Sequence, residues 1–330
     1  MKNIVTIGGG TGSFTLLSGL KKYPVNLAAV VSMVDDGGST GRLRDELGVL
    51  PPGDVRQCLV ALSNSPENLR ELMNYRFERG VLQGHSFGNI FLSALEKING
   101  NFLKGIASAA EILKVNGEII PVSGGDMRLL IKLKNGKILK GEKELDSNEE
   151  IRRIGIENIK LKSRVRPNPQ AILAIKKADM IIIGPGDFFG SILPNLLIKE
   201  ISETIKKAKA PVIFVCNLTN KKGQTERFDL DKYAAAINKF IGQNRIDFIL
   251  FNSKKPAANL VKKYENKEGK NSLVSLGKRR KKFKVISADL VSKKIVKIKG
   301  NILDSIAQHR SFIRHDGDKL AKIIIKLLKE

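Results

Sequence analysis

The chain is poor in the residues that build metal and redox centres. It has two cysteines and three histidines in 330 residues. Cys58 and Cys216 are far apart and form no CxxC pair, which argues against zinc or dithiol chemistry. Each thiol reads as a small buried hydrophobe of a reducing compartment. His85, His309 and His315 show no metal-ligand spacing. Long hydrophobic runs are also missing. The longest near the N-terminus, Leu27–Val34, is broken by Ser32 and is too short to span a bilayer. No charged region, apolar stretch and cleavage site of a secretory signal precede it. The expectation is a cytoplasmic protein without a transmembrane segment.

Acidic residues are scarce as well: 33 Asp+Glu face 58 Lys+Arg, a net charge of +25. The excess is concentrated in residues 251–330, which hold 22 basic and 7 acidic side chains, and it is densest in the run Lys278–Lys282. Such a run attracts nucleic acid, anionic membranes or phosphorylated ligands. Stacking aromatics do not interleave with it, since Phe283 is the only neighbour. A solvated, lysine-rich face is therefore preferred, and nucleic acid is not an expected partner.

What is present is the rhythm of an α/β protein. Asn3–Ile7 is a short apolar strand, Gly8–Ser13 interrupts it, and Phe14–Leu20 has helical spacing with Leu16, Leu17 and Leu20 on one side. Leu27–Val34 reads as a strand buried on both faces, which completes a βαβ unit. Helical patterns follow at Val55–Ser63, Pro66–Phe77 (with Ser65 as N-cap), Phe87–Ile98 and Leu103–Leu113. Asn116-Gly117 and Asn135-Gly136 are hairpin signals between β-type segments Glu118–Val122, Leu129–Leu133 and Ile138–Leu139, so residues 115–165 read as an antiparallel β insertion. Strands then recur at Ala178–Ile183, Pro211–Val215 and Asp247–Phe251, with helices at Ile192–Lys207, Lys232–Ile241 and Gly317–Leu328. The expected architecture is a single Rossmann-like three-layer α/β/α domain over residues 1–330. Its sheet is mostly parallel, and the basic region 255–330 packs on its core.

In such sheets ligands bind beyond the carboxyl ends of the strands. Here those ends carry the polar loops: Gly8-Gly9-Gly10-Thr11-Gly12-Ser13, then Asp35-Asp36-Gly37-Gly38-Ser39, then Gly184–Asp187, Cys216–Thr219 and Asn252. The first loop offers backbone amides and a helix N-terminus to a phosphate. It departs from the dinucleotide fingerprint in having Ser13 at the third glycine, and no Gly-Lys-Ser/Thr makes it a P-loop. A plain tight turn is the alternative. Asp35 and Asp36 stand where a ribose-binding acid belongs, or, with Asp54, where carboxylates hold a hydrated Mg²⁺; the alternative is an Asp-Gly turn. Asp54 also reads as a helix cap. Ser86 reads as the cap of the helix that carries Asn89, with His85 beside it as a candidate for anion contact or proton transfer. Ligand contacts are expected from Arg44, Gly184, Gly186, Asp187, Asn217, Thr219 and Asn252.

Seven ordered motifs carry a family resemblance: GGGTGS (8–13), DDGGSTGRLR (35–44), PPGDVRQCL (51–59), GHSFGN (84–89), SGGD (123–126), GPGDFFGSILPNLL (184–197) and CNLTNKKGQT (216–225). Across residues 3–317 the chain resembles the gluconeogenesis factor family, bacterial relatives of the 2-phospho-L-lactate transferase that builds a phosphodiester on a deazaflavin. The resemblance implies a Rossmann-like fold and binding of a nucleotide sugar of the UDP-N-acetylglucosamine type. It implies a regulatory role in cell shape and wall synthesis on gluconeogenic carbon sources, with wall-synthesis proteins and a Ser/Thr kinase as candidate partners. The sequence leaves the oligomeric state open, a homo-oligomer included, and no cofactor is expected to be required. The transferase branch uses Mg²⁺, and Asp36 and Asp54 match its acidic motif positions. The alternative function is therefore a Mg²⁺-dependent transferase of a phosphorylated metabolite, with Asp36, Asp54 and His85 as the candidate catalytic groups. No nucleophile–base pair is evident from spacing, but positioning and electrostatics suffice for phosphoryl transfer.

Overall fold

The computed structural model describes residues 1–278, 283–293 and 312–329. Four of the five residues of the basic run 278–282, and His309, lie outside them. In chain order the strands are β1 (Asn3–Gly8), β2 (Asn26–Val31), β3 (Glu118–Pro121), β4 (Leu129–Leu133), β5 (Ile138–Lys140), β6 (Ile156–Leu161), β7 (Met180–Ile183), β8 (Val212–Val215), β9 (Phe248–Asn252) and β10 (Lys284–Ala288). The helices are α1 (Gly10–Leu20), α2 (Gly38–Leu47), α3 (Gly53–Leu62), α4 (Glu67–Asn74), α5 (Phe87–Asn99), α6 (Phe102–Ile112), α7 (Glu144–Ser147), α8 (Glu149–Ile154), α9 (Pro169–Lys177), α10 (Leu193–Leu196), α11 (Lys199–Lys207), α12 (Leu230–Ile241), α13 (Ala258–Glu268) and α14 (Gly317–Lys329).

Seven strands form a parallel sheet in the order β10-β9-β8-β7-β1-β2-β3. β7 and β8 are buried at every position because helices cover both faces, and their sequences MIII and VIFV are accordingly apolar throughout. α1 buries Leu16, Leu17 and Leu20 against this sheet, and α14 closes over α1 with Leu320 and Ala321. That approach is tight: a Cβ on Gly19 would stand 2.1 Å from the Gly317 carbonyl oxygen. Truncating Leu17, which is fully buried, to Ala would cost about 2–5 kcal/mol. No helix among the described residues is long and apolar enough to cross a membrane.

From β1 the chain builds outward through β2 and β3 on one side, then returns to lay β7, β8, β9 and β10 on the other. The gap between the carboxyl ends of β1 and β7 is thus a topological switch point, where the following loops diverge and leave a crevice.

Several expectations change at element ends. Residues 118–121 do not belong to the insertion; they pair in parallel with β2, Ala28 opposite Glu118, as the edge of the main sheet. Asn116-Gly117 is accordingly not a hairpin turn. The antiparallel sheet is β5-β4-β6, and Asn135-Gly136, with Gly136 at φ 87°, does join β4 to β5. β6 escaped the sequence reading because only two of its six residues are buried. The helix expected over 192–207 breaks into a π-helical turn (Phe188–Ile192), α10 and α11, where Pro194 enters at a helix start. Ser65 caps nothing; its hydroxyl pairs with that of Ser63 at 2.6 Å.

Candidate functional site

The crevice between β1 and β7 opens into a cavity of about 440 Å³. Its walls are the loops at 9–12, 37–40 and 185–188, the first turn of α3, and segments 142–147, 217–219 and 313–315. Main-sheet loops thus supply one side, while the antiparallel insertion and the C-terminal region lean in from the other.

The glycines of the first loop serve the protein before any ligand. A Cβ on Gly9 would lie 2.0 Å from Asp54 Oδ2, and one on Gly12 would lie 2.1 Å from the Pro185 carbonyl oxygen. Only Gly10, at φ 64°, sits in the left-handed region that favours glycine. The result is that α1 begins at the cleft with no side-chain acceptor on its first amides. α2, α3 and α5 also have no side-chain cap, and their first turns contribute Gly38, Asp54 and Asn89 to the same walls, although in α5 the Phe87 amide is taken by the Tyr75 carbonyl at 2.9 Å. The first N–H groups of a helix have no intrahelical partner, and they carry the positive end of its dipole.

Opposite these amides stand carboxylates. Burial pushes the Asp54 carboxyl up to about 8, and the neighbouring Asp35 carboxylate adds to the shift. Asp35 is raised too, chiefly by burial. Glu142, from the insertion, is raised well above the usual range by burial and then by Asp35 and Asp187. Asp187 differs. Burial works against its ionisation, but Lys221 Nζ, 2.5 Å away, more than offsets this and lowers its pKa. The same ammonium reaches Asp146 at 2.9 Å and so ties the insertion to the β8–α12 connection. Asn217 donates to the Gly186 carbonyl at 2.9 Å, while its buried Oδ1 has no partner among the described residues. Among the described residues no three acidic, His or Cys side chains form a ready metal cage.

Fourteen of the residues expected from the sequence do line the cleft: Gly9, Gly10, Thr11, Gly12, Asp35, Gly37, Gly38, Ser39, Asp54, Asn89, Gly186, Asp187, Asn217 and Thr219. Others lie elsewhere. Asp36 does not line it: its carboxylate accepts from the Lys143 amide at 2.8 Å, since successive residues of an extended segment face opposite sides. Asp35, not Asp36, is therefore the partner of Asp54. Asp54 itself sits inside the first turn of α3, whose N-cap position is Pro52, so it is not a cap. Arg44 is a strut behind the wall: its buried guanidinium donates to the carbonyls of Val34, Asp35 and Met127 and pairs with Asp126.

His85 is behind the wall too, with Nδ1 3.2 Å from Ser39 Oγ. That hydroxyl already accepts from the Ser86 amide and from Asn89 Nδ2, both at 3.3 Å. Its proton must then go to Nδ1, which makes His85 a neutral acceptor that links α2 to α5. Burial, with Arg42 close by, keeps the imidazole pKa low. Ser86 holds the N-cap position of α5 without a capping bond, and its hydroxyl donates weakly to the Met73 carbonyl at 3.4 Å. Asn252 links the Lys254 carbonyl to the Leu290 amide. Gly8, Ser13 and Gly184 form the base of the loops without lining the cleft.

Several cleft residues were not singled out in the sequence. Glu142 and Asp146 come from a short polar stretch with no motif. Ser191 approaches Asp54 Oδ2 at 3.5 Å from the π turn. His315, whose pKa burial lowers to about 4, holds the Cys216 carbonyl through Nε2 at 3.1 Å. Lys221 and Ser191 had a legible signal, since both lie within the strand-end motifs at 216–225 and 184–197.

A family model described as 2-phospho-L-lactate transferase CofD matches residues 4–291. The gluconeogenesis factor of Bacillus subtilis is 35% identical over 99% of this chain and 98% of its own length. That of Listeria monocytogenes is 39% identical over 252 residues, 76% of this chain and 77% of its own. The crystal structure of a UPF0052 family member from Bacillus halodurans matches with a TM-score of 0.86 at 34% identity, covering 98% of this chain and 99% of that one. The chain belongs to the 2-phospho-L-lactate transferase CofD family, and its full-length relatives in it include gluconeogenesis factors.

Proposed function

We propose that the cleft binds a nucleotide sugar of the UDP-N-acetylglucosamine type together with Mg²⁺, and that occupancy rather than turnover is the signal the protein passes on. The observation that carries this reading is the convergence of four helix starts without side-chain caps on one cavity that also holds five carboxylates. The amides of α1 and α2 suit a diphosphate. The carboxylates alone would repel it. Asp35 and Asp54 suit a hydrated Mg²⁺, which completes its shell with water and phosphate oxygens and needs only one or two carboxylates from the protein. Burial chiefly raises both carboxyls, Asp35 adds to the rise at Asp54, and a cation between them would relieve that repulsion. Bound there, the ion would supply positive charge to the carboxylates and the ligand phosphates at once. Asn217 Oδ1, unpartnered among the described residues, is an acceptor for a ligand N–H or O–H group. The named relatives support a role in carbon metabolism, and we infer that the liganded protein acts on cell-wall synthesis and cell shape during gluconeogenic growth.

A second reading is a Mg²⁺-dependent phospho-group transferase. It is favoured by the family description and by Asp54, a carboxyl able to take up a proton near neutrality. Calorimetric titration with UDP-N-acetylglucosamine, with Mg²⁺ and after chelation, tests both. Saturable heat that needs Mg²⁺, with the ligand recovered intact, is the expected result. Conversion of the ligand or of an added phosphorylated acceptor would favour the transferase. No heat at millimolar ligand would overturn the nucleotide-sugar reading.

A further inference from the structure

A second cavity, of about 230 Å³, lies between the antiparallel sheet and α12, behind the π turn that borders the cleft. Phe189, Phe228 and Phe240 give it an aromatic lining. Lys134, Arg153 and Lys239 stand at its rim as cations, and among the described residues no hydrogen bond or ion pair engages their side chains. The other charged groups there are engaged. Glu157 pairs with Lys132 at 3.1 Å, Glu226 accepts from the Gly223 amide at 3.4 Å, and Arg152 pairs with Glu268 at 3.1 Å.

An accessible aromatic surface is hydrated at a cost, and three like charges around its mouth repel one another. One kind of ligand relieves both: an anionic head on a compact apolar body. The volume lies below the range of about 300–1,000 Å³ usual for drug-sized ligands, which restricts the body to about one ring.

The cavity also shares structure with the cleft. Phe188 and Phe189 are consecutive on the π turn, their ring centroids 5.4 Å apart and edge-on. Phe188 lines the cleft and Phe189 lines the second cavity. Three residues beyond Phe188, the same turn carries Ser191, which meets Asp54, and its Gly190 amide donates to Asp187 at 2.7 Å. Single π turns inside helical segments recur at functional sites.

We propose that this second cavity is an effector site for a small anionic amphiphile, and that its occupant acts on the cleft through the Phe188–Ile192 turn. The inference does not depend on which ligand fills the cleft.

The test uses 3-phenylpropionate and its neutral isostere 3-phenylpropanamide as probes. The chain contains no tryptophan, so Phe240→Trp places a single fluorescent reporter at the cavity. Phenylpropionate is expected to give a saturable one-to-one titration, with the amide at least about tenfold weaker. Adding Arg153→Glu and Lys239→Glu is expected to weaken the acid by about tenfold or more while leaving the amide unchanged. In the unaltered chain, calorimetry should repeat the acid–amide difference, and the acid should slow hydrogen exchange in residues 188–192. Equal affinity for acid and amide, no saturation, or unchanged exchange across that turn would each overturn the proposal.

Discussion

Groups that face the cleft and groups that stand just behind it are satisfied to different degrees. Behind the wall, Arg44 has three carbonyls and a carboxylate around its guanidinium, with only Nε unpartnered among the described residues, and the His85 ring is held by the Ser39 hydroxyl. At the wall, burial and the neighbouring Asp35 raise Asp54 despite the charge of Arg56, and Asn217 Oδ1 has no donor among the described residues. The α-helix starts divide similarly, whereas the π turn at the cleft is capped by Asp187 through the Gly190 amide. α6, α9 and α12 begin at Asn101, Asn168 and Asp229, whose side chains accept from the first-turn amides of Lys104, Gln170 and Lys232. α1, α2, α3 and α5 begin at the cleft without such a bond. α4, α11 and α13 also lack side-chain caps, so an uncapped start is no signal by itself. The lesson lies in four of them converging on one cavity. The division concerns helix starts and carboxylates and does not extend to every buried polar group. Ser32 Oγ, Arg70 Nε, Asn195 Oδ1 and Ser272 Oγ are also unpartnered among the described residues, and none of them lines the cleft.

Three experiments probe that division, and the first has the largest expected effect. Arg44→Met should destabilise the fold by about 3–5 kcal/mol in urea denaturation, because it leaves buried carbonyls without donors. Asp126→Asn, at the exposed end of the same pair, should cost about 1 kcal/mol or less. If Arg44→Met instead spared stability and removed ligand binding, Arg44 would belong to the cleft and the division would fail.

Next in size is a pH effect. Asp54 titrates at about 8 in the folded chain and near the ordinary carboxyl value of about 3.9 when unfolded. Between those values the folded state holds a proton that the unfolded state releases. Stability of the ligand-free protein should therefore decline as pH rises through this window and level off above it. Asp54→Asn should flatten Asp54's part of the slope, as read from denaturation midpoints at several pH values. An identical slope in the variant would mean that Asp54 is not the group with the raised pKa.

The smallest effects compare the two kinds of helix start. Asn168→Ala should cost about 1 kcal/mol and leave UDP-N-acetylglucosamine binding unchanged. Gly37→Asn, at the extended N-cap of α2, should add a few tenths of a kcal/mol while weakening that binding, since the new side chain would occupy amides meant for the ligand. A tighter complex in Gly37→Asn would show that the amides of α2 are not used.

Much of this was legible in the chain itself. Periodicity and glycine punctuation are local properties, so β1, α1, β7 and β8 and the loops after them could be read from neighbouring residues alone. Fourteen of the expected site residues line the cleft for that reason. The failures share a cause. Asp36 and Asp35 differ only in which way an extended segment faces, and that depends on where β2 ends. Arg44 and His85 have the chemistry of ligand contacts, and only packing shows that protein groups already occupy them. Glu142 and His315 arrive from segments more than a hundred residues from the glycine loop, and no local pattern marks them.

The sequence by itself determined the layered α/β architecture, the family, and the edge of the sheet at which the functional loops gather. These follow from the spacing of apolar residues and from glycines at strand ends. Only the tertiary structure decided which side chains face the cleft, which carboxylates share it, and that a second cavity lies behind its wall. Burial and charge depend on what the rest of the chain brings close, and the approaches of Asp54 to Gly9 and of Pro185 to Gly12 exist only once the sheet has closed around β1.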